Sequence, residues 1–187
     1  MFADIRSFTR LSEGMSAPEV VGLLNEIFQL ISDPILEHGG TIDKFIGDSV
    51  MFYFGAPIPH ADHPQRAVRA AVQIAEAVAA RNHAAEADGP MDFVPVEVGI
   101  GIHLGNVVVG NIGSDRRTDF TAVGDAVNVA HRLEKLARPG EILVSEAVQR
   151  RVRGSVPLRF EGERLLSGRE EPVHVYSIDR ADEKSRR

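Results

Sequence analysis

Asp4 and Asp48 are carboxylates set at the ends of apolar, strand-like runs, FADI and GGTIDKFIGDSVMFYFG. The second run alternates, turns at Gly47-Asp48 and alternates again, so Asp48 stands at the tip of a 41–54 hairpin. If the first strand and this hairpin are neighbours, the two carboxylates converge, and they repel unless a cation lies between them. Hard oxygen ligands suit Mg²⁺ or Mn²⁺ rather than zinc. Asn128 and Arg132 follow at i and i+4 of a predicted helix, hence on one face, from which they could reach a phosphoryl group. Residues 5–9, IRSFT, follow Asp4 directly and form a short polar turn able to aim backbone N–H groups at phosphate. Each feature alone has an ordinary explanation: a turn Asp, a plain loop, a solvated helix face.

Other chemistries find no support. There is no GxxxxGK[ST] and no HExxH, and His60 and His63 flank a helix start without a third ligand. The chain has no cysteine, which excludes disulfides and thiolate zinc sites. A net charge of −6 argues against a nucleic-acid binder working by bulk electrostatics. Met51, Phe52, Tyr53 and Phe54 read as strand packing.

The elements that must position these residues are readable from periodicity and punctuation. With 187 residues, 43% of them hydrophobic, the chain suffices for one compact domain, 1–180, and a frayed tail at 181–187. Ser16-Ala17-Pro18-Glu19 is a capping box, and Val20, Leu24, Ile27, Phe28, Ile31 and Ile35 follow at helical spacing up to His38-Gly39-Gly40. Strands are expected at 41–46 and 49–54, and a second helix from Asp62 to about Arg81. A loop covers 82–92, and a second hairpin, 95–103 with 106–112, turns at Leu104-Gly105. A helix from Gly124 to Ala137, a strand at 141–144, a helix at 145–151 and strands near 157–161 and 172–178 complete the order. This pattern fits an α+β, ferredoxin-like split βαβ (βαββαβ) core, an antiparallel-rich sheet with helices on one face. The abrupt start at Phe2 leads us to expect sensor or anchor segments on the N-terminal side of a longer, cytoplasmic or membrane-tethered protein.

FADIRSFT, DKFIGDSVMFYFG, GIGIHLGNVVVGNIGS and TDFTAVGDAVNVAHRLE, in this order and spacing, resemble the class III nucleotidyl cyclase catalytic domain. The resemblance runs over residues 2–178. It implies attack of the 3′-hydroxyl of a nucleoside triphosphate on its own α-phosphate, with release of pyrophosphate. It implies two ions, Mg²⁺ or Mn²⁺, held by Asp4 and Asp48 with the carbonyl of Ile5. The backbone of Arg6, Ser7, Phe8 and Thr9 then cradles the triphosphate, Asn128 orients the ribose, and Arg132 stabilises charge on the pentacoordinate phosphorus. Lys44 reads the purine edge; its donor-only ammonium suits N1 of adenine and opposes the N1–H of guanine.

Two positions depart from the common pattern. Many relatives that use ATP carry Asp where this chain has Thr121, before the Gly124 that opens the Asn-Arg helix. This resembles a subgroup with Thr in that role, in which bicarbonate sensitivity has been reported. A hydroxyl can accept from the adenine amino group or donate to the guanine carbonyl, so Thr121 alone leaves the base open. The closing segment has Arg169 where a Lys is common, so Arg169, or Arg116 or Arg117, must serve the terminal phosphates. The resemblance also implies a head-to-tail homodimer, in which the metal carboxylates of one chain face the Asn-Arg helix of the other. The expectation is an adenylate cyclase. A silent nucleotide-binding domain and a guanylate cyclase are the rivals.

Overall fold

The computed structural model describes residues 1–88, 93–166 and 171–179. The chain folds as β1 (Phe2–Ile5), α1 (Phe8–Ser12), α2 (Ala17–Glu37), β2 (Thr41–Ile46), β3 (Ser49–Tyr53), α3 (His63–Asp88) and β4 (Val98–Ile102). It continues with β5 (Val108–Ser114), β6 (Arg117–Val123), α4 (Asp125–Leu136), β7 (Ile142–Ser145), α5 (Glu146–Val152), β8 (Leu158–Arg164) and β9 (Val173–Ile178). The main sheet has the order β2-β3-β1-β4-β7-β9-β8, and β5-β6 form a separate two-stranded sheet. Among the described residues of this sheet only β4 and β7 pair in parallel; its other ladders are antiparallel. The first four strands of the main sheet with α2 and α3 make the expected split βαβ core.

Local sequence explains the elements that set the site. The Ser16 N–H donates to the Glu19 carboxylate at 2.7 Å, which closes the capping box at the start of α2. Pro34 lies inside α2, which continues through it to Glu37. Gly47 turns the β2–β3 hairpin at φ 61°, a left-handed conformation that glycine adopts without a Cβ clash.

Alternation divides the residues of β1, β4 and β7 between the faces of the sheet. Ala3, Ile5, Val98, Ile100, Ile102, Ile142 and Val144 join the large core with Ile27 and Ile31 of α2 and Val68 and Ile74 of α3. Phe2 and Leu143 point the other way, toward Ala130 and Leu133 of α4. The expected one-sided helix layer is therefore corrected: α4 covers the face opposite α2 and α3. Gly101 permits this, because a Cβ there would lie 2.2 Å from the Glu134 backbone nitrogen.

Two further expectations change. Residues 95–103 and 106–112 do not form a hairpin with each other. β4 joins the central sheet, whereas β5 pairs with β6 from Val108↔Val123 to Ser114↔Arg117. The glycines at 105, 110 and 113 blur the alternation that marks a strand, and residues 117–123 carried no strand signal strong enough to compete. α3 also runs past Arg81 to Asp88, since Ala-rich sequence without Gly or Pro gives a helix no reason to stop. Among the described residues, no helix is long and apolar enough to cross a membrane.

Candidate active site

β1 lies between β3 and β4, in register Asp4↔Ser49, so Asp4 sits beside the start of β3 and the Gly47-Asp48 turn. The Ile5 N–H donates to the Asp48 carbonyl at 3.3 Å, which ties the two strand ends together. Asp4 is buried and accepts from the Ser49 hydroxyl and, at 3.0 Å, from Lys135 Nζ. Asp48 is half-buried at the hairpin tip. Among the described residues no group of three or more His, Asp or Glu side chains gathers around one point. Two carboxylates and a main-chain carbonyl fit a divalent cation that keeps waters and borrows oxygens from a phosphate ligand, as Mg²⁺ does. The Asp4 carboxylate already engages a cationic group, the Lys135 ammonium, so its environment accepts positive charge.

The expected use of the Arg6 backbone for phosphate is corrected: its N–H donates to the Glu97 carbonyl at 2.8 Å. The Arg6 guanidinium turns inward and donates to the Glu134 carbonyl at 3.0 Å, the Gly99 carbonyl at 3.3 Å and the Glu134 carboxylate. Glu134 is fully buried, and burial raises its carboxyl pKa above the usual range while the Arg6 guanidinium opposes that rise. Burial lowers the Lys135 ammonium pKa, but its bonds to Asp4 and Glu134 outweigh this and hold it above the ordinary value. Arg6, Glu134, Lys135 and Asp4 thus alternate in charge between the end of β1 and the last turn of α4. Glu134 is taken by these partners rather than by Arg132. The signal in the sequence was a glutamate at i+4 from Ala130, inside the apolar stripe of α4.

After Arg6 the chain turns sharply. Ser7 has φ 57° and ψ 28°, the left-handed region, and precedes Phe8 and Thr9 at the start of α1. A depression of about 770 Å³ opens beside this turn, with Arg6, Ser7, Arg10 and Glu97 in its wall.

Lys44 and Thr121 are brought together by a residue that sequence reasoning missed. The β2–β3 ladder passes from Ile42↔Phe52 to Lys44↔Met51, leaving Asp43 as the extra residue of a β-bulge. The Asp43 side chain is fully buried. It accepts from the Thr121 hydroxyl at 2.8 and 2.9 Å and from the Ala122 N–H at 3.0 Å, and lies 3.4 Å from Lys44 Nζ. A bulge re-aims side chains that plain alternation assigns to the wrong face. The only clue was an aspartate within an apolar strand, IDKFI.

Asn128 is exposed on α4, while Arg132 is half-buried and its Nη1 is buried without a hydrogen-bond partner. A buried guanidinium N–H without an acceptor is costly and is relieved by an anion. Arg117 is exposed at the start of β6, with Arg116 in the turn before it; Arg169 lies outside the described residues.

The family model described as "Adenylate and Guanylate cyclase catalytic domain" matches residues 1–180. Adenylate cyclase 1 of Rhizobium meliloti (strain 1021) is 39% identical over 180 residues, covering 95% of this chain and 27% of that protein. An adenylate cyclase of Anabaena cylindrica is 35% identical over 184 residues, covering 95% of this chain and 36% of that protein. The chain thus spans about a quarter to a third of the length of these relatives. Among solved structures, the adenylyl cyclase CyaB from P. aeruginosa aligns with a TM-score of 0.90 at 35% identity, over 97% of this chain and 93% of that one. The guanylyl cyclase Cya2 aligns with a TM-score of 0.85 at 37% identity, over 97% and 91%.

Proposed function

We propose that this chain, which belongs to the adenylate and guanylate cyclase catalytic domain family, converts ATP to 3′,5′-cyclic AMP and pyrophosphate. The observation that carries this reading is the pair of carboxylates, Asp4 and Asp48, on adjacent strand ends joined by the Ile5–Asp48 backbone bond. Asp4, Asp48 and the Ile5 carbonyl would hold Mg²⁺ or Mn²⁺; bound there, the ions supply activation of the 3′-hydroxyl and neutralisation of phosphate charge. The N–H groups of Ser7, Phe8 and Thr9 bind the triphosphate, since the Arg6 N–H is taken by the Glu97 carbonyl at 2.8 Å. Arg117 or Arg169 supplies charge to the terminal phosphates.

Asn128 orients the ribose. Arg132 presents donors to the oxygens of the α-phosphorus as it becomes pentacoordinate. The Arg132 Nη1 without an acceptor supports a site completed by a second chain, with Asp4 and Asp48 from one subunit and Asn128 and Arg132 from the other. A homodimer holds two such sites. The domain works in the cytoplasm, free or tethered to a membrane, and Thr121 supports membership of the Thr subgroup.

Likeness does not choose the base: the adenylyl and guanylyl structures are 35% and 37% identical to this chain. Lys44 favours adenine, because its ammonium donates to N1 and has nothing to accept from the guanine N1–H. Guanylate cyclase is the second reading, on the likeness to Cya2. Turnover of ATP and GTP with Mn²⁺, with cyclic nucleotide as the measured product, separates them. Faster cyclic GTP formation rejects the adenylate reading, and no cyclic nucleotide from either substrate rejects catalysis.

A further inference from the structure

The Thr121 hydroxyl faces both ways in chemical terms. It can accept from the exocyclic amino group of adenine or donate to the carbonyl oxygen of guanine. Its surroundings remove one of these options. Its hydrogen points to Asp43, whose two oxygens lie at 2.9 and 2.8 Å from Oγ1. Asp43 cannot return a hydrogen, because it is already accepting from the Ala122 N–H at 3.0 Å and faces the Lys44 ammonium at 3.4 Å. With its one hydrogen spent inward, Thr121 has only lone pairs to offer outward.

We infer that Asp43 is a specificity-determining, positioning residue: by holding the Thr121 hydroxyl hydrogen it makes Thr121 an acceptor, which fits an amino group at C6 of the purine and opposes a carbonyl. This rests on the adenylate reading and supplies the polarity that the hydroxyl by itself lacks. The same carboxylate orders Lys44, so one buried residue arranges both groups that meet the base. The bulge in β2 is the structural device. Without the extra residue, plain alternation along β2 would not let Asp43 and Lys44 serve the same side. Burial of Asp43 excludes the water that would otherwise compete for the Thr121 hydrogen.

Asp43→Asn tests this at constant shape. One amide oxygen remains to accept from Ala122 N–H, and the NH₂ turns to Thr121, donating to its oxygen and releasing the hydroxyl hydrogen outward. The substrates are ATP, GTP and the triphosphate of unsubstituted purine riboside, which keeps the N1 acceptor for Lys44 but has nothing at C6. Turnover is read as kcat/KM ratios, and binding is read by competition with the 3′-deoxy forms, which cannot cyclise. The wild type favours ATP over the purine riboside nucleotide by about tenfold, the worth of one hydrogen bond. Asp43→Asn brings that ratio close to one and moves the ATP-to-GTP ratio toward GTP, while Lys44 still disfavours the guanine N1–H.

Thr121→Val provides a second route if Asp43→Asn does not fold, as judged by a thermal melt. It abolishes the preference for ATP over the purine riboside nucleotide, and adding Asp43→Asn to it changes the ratio no further. An unchanged ratio in folded Asp43→Asn, or a full ATP preference in Thr121→Val, overturns the role of Asp43 while leaving the adenylate reading standing. A wild type that prefers GTP overturns the adenylate reading, and the inference with it.

Discussion

Replacing Gly101 with alanine places a methyl group where α4 crosses β4. The new Cβ would lie 2.2 Å from the Glu134 backbone nitrogen, 2.4 Å from the Ala130 carbonyl oxygen and 2.7 Å from the Glu134 Cα. All three are backbone atoms of one helix, so no side-chain rotation relieves the contact. Ordinary contact begins near 3.4 Å, so α4 must retreat by about 1.2 Å, and it carries Asn128 and Arg132 with it. Overpacking of this kind costs about 1–3 kcal/mol, and each kcal/mol lowers Tm by about 2–4 °C in a chain of this length. A displacement near 1 Å of catalytic groups costs about 10²-fold in rate. Gly101→Ala is therefore expected to melt several degrees lower and to cyclise ATP about a hundredfold more slowly while still folded. Gly22 is the matched control, exposed inside α2 with open space where its Cβ would be. There the same substitution stabilises by about 0.5–1 kcal/mol and leaves turnover alone. Melting curves and initial rates on the purified variants give both numbers. A Gly101→Ala protein with wild-type Tm and rate would refute the close crossing of α4 over β4.

Ser7→Gly is expected to stabilise by roughly 0.5–1 kcal/mol in urea unfolding, because glycine accepts the left-handed conformation that serine holds at a cost; a loss of stability contradicts this. Lys135→Met removes the ammonium that lies 3.0 Å from Asp4, and Mn²⁺ binding to the nucleotide-free protein, followed by electron paramagnetic resonance, should tighten a few-fold, the scale of one half-exposed ion pair. Unchanged or weaker binding rejects the competition. The bond from His174 to Glu163 at 3.0 Å, aided by Glu146 at 3.6 Å, raises the His174 pKa above its ordinary value. Its stabilising contribution is fully present below pH 6.5 and fades as pH rises through the raised value. In His174→Gln this part of the pH dependence of Tm should vanish, and an unaltered profile argues against it.

The split βαβ core was legible because its signals are local and repeated. The capping box at Ser16, the helical spacing from Val20 to Ile35 and the Gly47-Asp48 turn each announce one element. The β5–β6 sheet was not legible, since its glycines weaken alternation and its partner strand begins with Arg117-Thr118-Asp119, polar residues that read as loop. The side of α4 was hidden for a different reason: which face a helix covers depends on the long-range fit at Gly101, and no short stretch encodes that. At the site, residue types pointed to Asp4, Asp48, Lys44, Asn128 and Arg132. The side chains that organise them did not stand out. Asp43 is turned inward by a bulge that strand periodicity cannot anticipate. Lys135 looks like the ordinary charge of a helix end until β1 is laid beneath it, and Glu134 is marked only by its place in the apolar stripe of α4.

The shared site is tested most directly by mixing two inactive subunits. Asp48→Ala removes one metal carboxylate, and Arg132→Ala removes transition-state charge stabilisation worth about 10²–10³ in rate. Each alone should be nearly inactive. After subunit exchange, about half the dimers are mixed, and each mixed dimer joins an intact Asp48 from one chain to an intact Arg132 from the other. One of its two sites is then whole, so about a quarter of wild-type cyclic AMP formation should return. No recovery, with exchange demonstrated by differently tagged subunits, would contradict a site built from two chains.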